Sequence, residues 1–369
     1  MIRPVALVVA SLLFLQPAPP TWRLVEEWRV GGEPSGPHAL HDVRDLELLP
    51  DGNIVLLEFK DQQIHFLDGR GKPLRTVGRK GGGPGEYQNA NGFVVFPDGN
   101  RLVNDPDANR FTLLNSKGDF LKAVPVSQSR GFGGQWDAWV DAEGRLIEAT
   151  YVRRGQQGVI ARERWSADLS KSETIYPIDC PTVAPPPSEA YSYSFRSAKG
   201  GMSMAVPYAS PTMPTLSTVD GAQWKAPWPT FTPITHTPHG SCTPDVTISL
   251  SGAPVVIPAV VRDSAVKRVV DAASKYSSTP PDLSRIPRVF PAFDVMRLDQ
   301  LGQLWVLRWT DATRKRFEVY GKGGAAVATL DAPRSLVAYR PTIITADRFI
   351  GIVTDGDDVP YLVSYRIVK

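Results

Sequence analysis

From about residue 42 onward the chain alternates short apolar runs with polar turns, and the turns recur. Leu46–Leu49 leads through Pro50-Asp51-Gly52-Asn53 into Ile54–Leu57. Phe93–Phe96 leads through Pro97-Asp98-Gly99-Asn100 into Leu102-Val103, and the two Asp-Gly-Asn turns lie 47 residues apart. A third copy runs Trp139-Val140-Asp141-Ala142-Glu143-Gly144-Arg145-Leu146-Ile147, and a degenerate fourth has Leu216–Val219 before Asp220-Gly221. The fifth joins Val295–Leu298 to Leu304–Leu307 through Asp299 and Gly302, and a partial sixth spans Ile343 to Ile367. Apolar, β-branched runs bounded by Asp-Gly turns read as strands and hairpins.

A repeat of about 40–50 residues, four strands per copy, is the propeller range. A sheet with two apolar faces and open edges must stack on neighbours, and a closed ring leaves no end blade uncovered. The pattern therefore predicts an all-β, six-bladed β-propeller of four-stranded antiparallel blades, one domain over 21–369. Blades are placed at about 41–77, 90–126, 134–178, 212–250, 292–330 and 341–369. The last lacks a fourth strand, and the orphan run Trp22–Val30 is expected to supply it and close the ring. One stretch departs from the β pattern: Val261, Ala265, Val266, Val269, Val270 and Ala273 repeat at helical spacing. This predicts one amphipathic helix, about Arg262 to Lys275, between blades four and five. It either packs on the rim or forms a lid over the central channel.

Two motifs carry a family resemblance. Leu102-Val103-Asn104-Asp105-Pro106-Asp107-Ala108-Asn109-Arg110-Phe111 resembles the NHL-repeat pattern of apolar strand, Asp, two spacers, Asn, spacer, Arg and apolar residue. Gly78-Arg79-Lys80-Gly81-Gly82-Gly83-Pro84-Gly85-Glu86-Tyr87 is similar to the inter-blade loop of bacterial six-bladed propellers. The chain thus resembles secreted bacterial six-bladed propellers related to the NHL-repeat group. The likeness covers 42–125 well and 290–369 tolerably, and lapses over 177–258 where prolines interrupt the strands. It implies a fold and not a reaction, because propellers host binding proteins, lactonases, lyases and scaffolds alike.

Composition adds a compartment. Arg3 precedes the apolar run Val5–Leu15, too short for a spanning helix and suited to a signal-peptide core, so 1–20 reads as a signal segment. The mature protein is expected outside the cytoplasm, secreted or periplasmic, with no membrane span, as a monomer. There Cys180 and Cys242, the only cysteines, either pair or remain two buried thiols. Closing a 62-residue loop would contribute about 4 kcal/mol in the chain-entropy view. A net charge of +3 from 41 basic and 38 acidic residues excludes a strongly basic nucleic-acid binder.

Candidate chemistry is sparse. The glycine loop lacks the Gly-Lys-Ser/Thr ending of a phosphate cradle, so its glycines read as backbone freedom, with Glu86 accepting backbone hydrogen bonds. No Gly-x-Ser-x-Gly elbow occurs. The pairs His38/His41 and His236/His239 have a three-residue offset in loops, and solvated surface is the plainer reading than zinc. Propeller geometry supplies the better site. The starts of the innermost strands converge on one opening, which nominates His41, Asp42, Asn91, Trp136, Asp137, Met213, Asp294 and Arg340. Three carboxylates and an amide there could hold Ca²⁺, as the resemblance to lactonase-type propellers implies. No other cofactor is expected. Two functions follow: an exported binding or scaffold module for a peptide, glycan or protein on the top face, or a Ca²⁺-dependent lactonase-like hydrolase or lyase acting in the channel.

Overall fold

The computed structural model describes residues 18–369 apart from 34, 37, 127–134, 155–156, 177–189 and 198–199. The expected signal segment lies outside them except for 18–20, and so does Cys180. Six four-stranded antiparallel sheets form a six-bladed propeller. The blades span 43–77, 92–125, 138–175, 215–248, 295–331 and 343–368, the sixth completed by the strand Arg23–Gly31.

The repeated turns explain the repeated sheets. In blades one and two Gly52 and Gly99 both stand at φ +83°, where a side chain would be strained. Asp51 and Asp98 each accept the backbone N–H of the Asn two residues on at 2.9 Å. Blades three and five use a wider version, in which Asp141 and Asp299 accept from Arg145 and Gln303 at 2.8 Å. Apolar residues on both faces of each sheet fill the seams. Leu46, Ile54 and Leu56 meet Ile350, Ile352 and Leu362 between blades one and six, and Trp305 and Phe317 meet Phe349 and Ile344 between five and six.

The segment before blade one binds two blades at once. Arg23–Gly31 pairs antiparallel with Pro360–Val368, from Arg23 opposite Val368 to Gly31 opposite Tyr361. Just ahead of it, the Trp22 N–H donates to Thr329 O at 2.8 Å and the Thr329 N–H to Pro20 O at 2.9 Å, on the outer strand of blade five.

Strands follow chain order in blades one to five, so first and third strands run one way and second and fourth the other. The starts of first strands, the turns between second and third strands, and the connections between blades therefore share one face, the top. Two insertions rise there. The hairpin Ser192–Ser197/Gly200–Ala205 lies in the connection from blade three to four, and the helix Ala259–Tyr276 in that from four to five. The helix packs against that hairpin. Its buried Ala265, Val269, Ala272 and Ala273 face the hairpin, with Tyr193, Phe195 and Val206 completing a small separate core. Tyr193 Oη donates to Asp282 O at 2.7 Å and Arg285 to Ser192 O at 2.6 Å, tying the two insertions together.

Candidate functional site on the top face

Around the channel mouth most of the nominated residues are engaged by other groups of the protein. Asp42 takes Arg44 at 2.8 Å and Arg340 from blade six, and Arg340 also reaches Val43 O at 3.4 Å, linking blade six to blade one. Burial works against the Asp42 carboxylate, but the hydrogen bonds from Arg44 and the charge of Arg340 hold it below its ordinary range. Asn91 is buried, accepts from Asn104 at 2.9 Å, and takes the Trp136 backbone N–H on its carbonyl at 3.2 Å, joining blades two and three. Trp136 is buried too, its indole donating to Glu148 at 2.8 Å. Asp137 pairs with Arg162 at 2.8 Å, and Arg162 extends to Ser217 Oγ of blade four at 2.6 Å. Asp294 accepts from Thr212 at 3.2 Å and is bridged by Lys315. Met213 forms a backbone bridge with Val295 and meets Arg297, which also bonds Ala338 O at 2.7 Å. The nominated residues thus form a circuit of ties between blades. Among the described residues no group of three His, Cys, Asp or Glu is placed to hold a metal ion.

Two titrating carboxylates escaped the sequence reading. Asp45 on the inner strand of blade one accepts the Phe93 N–H of blade two at 2.8 Å and the Leu46 N–H at 2.9 Å, yet burial pushes its pKa up to about 6. Glu47 is exposed along this strand, yet the protein around it costs its charged form solvation, and with the charge of Asp45 this raises its pKa to about 7. The alternation Val43, Asp45, Glu47 was the available signal. His41 stands 3.8 Å from Asp61, and His65 is buried with His38 and Asp61 close enough to act on its charge; burial first, then His38, lowers its pKa to about 4, while His236 bonds Asp245 at 2.7 Å.

The glycine loop and the NHL-like motif meet. Asp105 accepts the Gln88 and Asn89 N–H groups at 2.9 Å, and Arg110 donates to Gly83 O at 3.2 Å and Glu86 O at 2.7 Å. Glu86 accepts the Gly83 N–H at 2.8 Å. A Cβ on Gly81 would fall 2.2 Å from its carboxylate, so a side chain there would displace the Glu86 carboxylate. These contacts clamp the connection between blades one and two and leave no phosphate cradle.

Two recesses open on the top face. The first, about 750 Å³, lies where blades six, one and two meet and has charged and amide side chains, His41, Asp42, Lys60, Lys80, Gln88 and Asp358, among its walls. The second, about 520 Å³, lies between blades four and five and the inserted hairpin and helix. Its walls are aromatic. Phe290 and Trp309 stack at 3.8 Å and 11°, Tyr208 meets Phe290 edge-on at 5.2 Å, and Trp228 stands at the rim 43% exposed. Lys315, held by Asp294, lies 4.0 Å from the centre of the Trp309 ring, so the channel mouth braces this wall. Sequence reasoning missed this cleft because its residues come from six separate stretches between 190 and 309. The available signal was the aromatic-proline pairs Trp228-Pro229 and Phe290-Pro291. Cys242 is disulfide-bonded.

The sequence matches no protein-family model and no curated protein. Among solved structures, a Bacteroides fragilis protein described as exported aligns over 94% of this chain and 95% of its own, at 13% identity and TM-score 0.50. A Staphylococcus aureus virginiamycin B lyase aligns over 94% and 99% at 10% identity and TM-score 0.47. The calcium-binding protein regucalcin of Agrobacterium tumefaciens aligns over 95% and 96% at 12% identity and TM-score 0.41. Identities this low speak to architecture alone, and the architecture is plain: the chain is a six-bladed β-propeller.

Proposed function

We propose that the protein is an exported, non-catalytic propeller that binds a partner on its top face, in the aromatic cleft between blades four and five. The cleft carries this reading. It has the size and apolar lining of a ligand site, and an exposed tryptophan at its rim is the kind of anchor that dominates recognition. The calcium-dependent hydrolase or lyase reading has less support, because Asp42, Asp137 and Asp294 each already face an Arg or Lys of the protein. The test is binding of the purified protein to peptide and glycan panels, repeated with Trp228→Ala. Saturable binding to either panel, lost in the variant at unchanged melting temperature, is expected. Failure on both, together with saturable Ca²⁺ binding by calorimetry that Asp137→Asn/Asp294→Asn abolishes, would transfer the function to the channel.

A further inference from the structure

Resting on that cleft as the binding site, we infer that its occupant is an extended proline-rich peptide segment. The inference comes from what the walls can and cannot satisfy. Among the described residues no carboxylate and no side-chain amide lines the cleft; its polar side chains are Arg285, Arg308, Thr230, Thr232, Tyr208, Trp228 and Trp309. Several of these are already committed inside the protein. Arg308 donates to Glu318 at 2.9 Å and Ala292 O at 3.2 Å, and Arg285 donates to Ser192 O at 2.6 Å. Thr230 donates to Thr232 O at 2.9 Å, and the Thr232 hydroxyl accepts from Leu250 at 3.4 Å.

A glycan brings many hydroxyls that must be paired when desolvated, and the described walls offer few side-chain acceptors to receive them. An ordinary peptide brings one N–H per residue and meets the same shortage. Proline has a carbonyl but no N–H, so a run of prolines buries rings without orphaning donors. Such a run also holds the polyproline II conformation before binding, so little chain entropy is lost on docking, and aromatic-lined grooves are its usual receptors. Trp228 with Val289, exposed 43% and 39%, would flank its rings on the rim.

The experiment uses fluorescein-labelled decaproline, a labelled Gly-Ser peptide of equal length, and cellohexaose, titrated against the full chain and against Trp228→Ala and Val289→Glu. Both positions are exposed, and unchanged melting shows that the variants fold. Saturable decaproline binding at least tenfold tighter than the Gly-Ser peptide, and weakened at least tenfold by either variant, is expected. Decaproline bound no better than Gly-Ser, or bound equally by both variants, overturns the inference. If cellohexaose instead binds and Trp228→Ala abolishes it, the proline inference falls while the cleft stands as the binding site. If panels and probes alike fail, both fall.

Discussion

Trp305→Ala tests whether the seam between blades five and six holds the ring as described. Trp305 is 1% exposed, with ring centres 5.4 Å from Phe317, 6.2 Å from Trp22 and 6.4 Å from Phe349. Removing a large buried aromatic costs about 3–5 kcal/mol, because the neighbours collapse only in part. Its indole N–H also donates to Asp299 Oδ2 at 3.0 Å, and Asp299 is only 7% exposed. Losing that donor adds about 1–3 kcal/mol, although the other oxygen keeps the Leu301 and Gln303 N–H groups. A total of about 4–8 kcal/mol approaches the whole stability of an ordinary domain. Trp305→Phe keeps a ring in the seam and removes the donor, so about 1–3 kcal/mol is expected. Guanidinium unfolding followed by far-ultraviolet circular dichroism reads both. An Ala variant within about 1 kcal/mol of wild type would refute the packing argument. A Phe variant as damaged as Ala would move the loss from the aromatic cluster to the Asp299 hydrogen bond.

Three further outcomes are expected. Deleting residues 21–31 removes the outer strand of blade six and the buried Trp22, whose loss alone costs about 3–5 kcal/mol; unchanged thermal melting would show that the ring does not depend on that strand. Glu148 is buried and takes the indoles of Trp136 at 2.8 Å and Trp165 at 2.9 Å, so Glu148→Gln sets an amide N–H against an indole N–H and should lose about 1–3 kcal/mol in equilibrium denaturation. Asp45 and Glu47, raised to about 6 and about 7, bind protons more tightly folded than unfolded, so their contribution is complete below about pH 4 and fades as pH rises through 6 and 7. Melting of Asp45→Asn/Glu47→Gln should therefore gain on wild type between pH 4 and 7, and parallel curves would contradict the assigned burial.

The ring was legible because its signals are local. Each Asp-Gly turn needs only its own few residues, and the apolar runs beside it need only a neighbour of the same kind. The helix was legible for the same reason, although it spans Ala259–Tyr276 and packs on a hairpin the sequence reading passed over. That hairpin alternates Tyr193 and Phe195 with Ser192 and Ser194, a period-2 signal lost among prolines. The channel mouth was half legible. Strand starts could be located, but not the partners of Asp42, Asp137 and Asp294. Those partners are an Arg from blade six, an Arg from a third strand, and a Lys reached across a turn. Ion pairs between distant segments leave no spacing to read. The aromatic cleft is the extreme case, because Trp228, Phe290 and Trp309 become one wall only after two blades and two insertions have packed.

The pairing of Arg23–Gly31 with Pro360–Val368 has a mechanical side. Ser364 and Glu27, hydrogen-bonded at 3.3 Å, are 337 positions apart, so this pairing closes nearly the whole chain into one loop, at an entropic cost of about 5 kcal/mol from chain length alone. It cannot form until the last strand exists, and contacts of such separation form late in folding. Because the strands are antiparallel, Arg23 lies opposite Val368 and the two chain ends leave from the same end of the pair. A pull on both ends would therefore peel the strands one rung at a time, as a zipper opens, and would not load all rungs at once in shear. A ring held firmly against heat and denaturant should thus open at low force when drawn by its termini, with blade six the first to part.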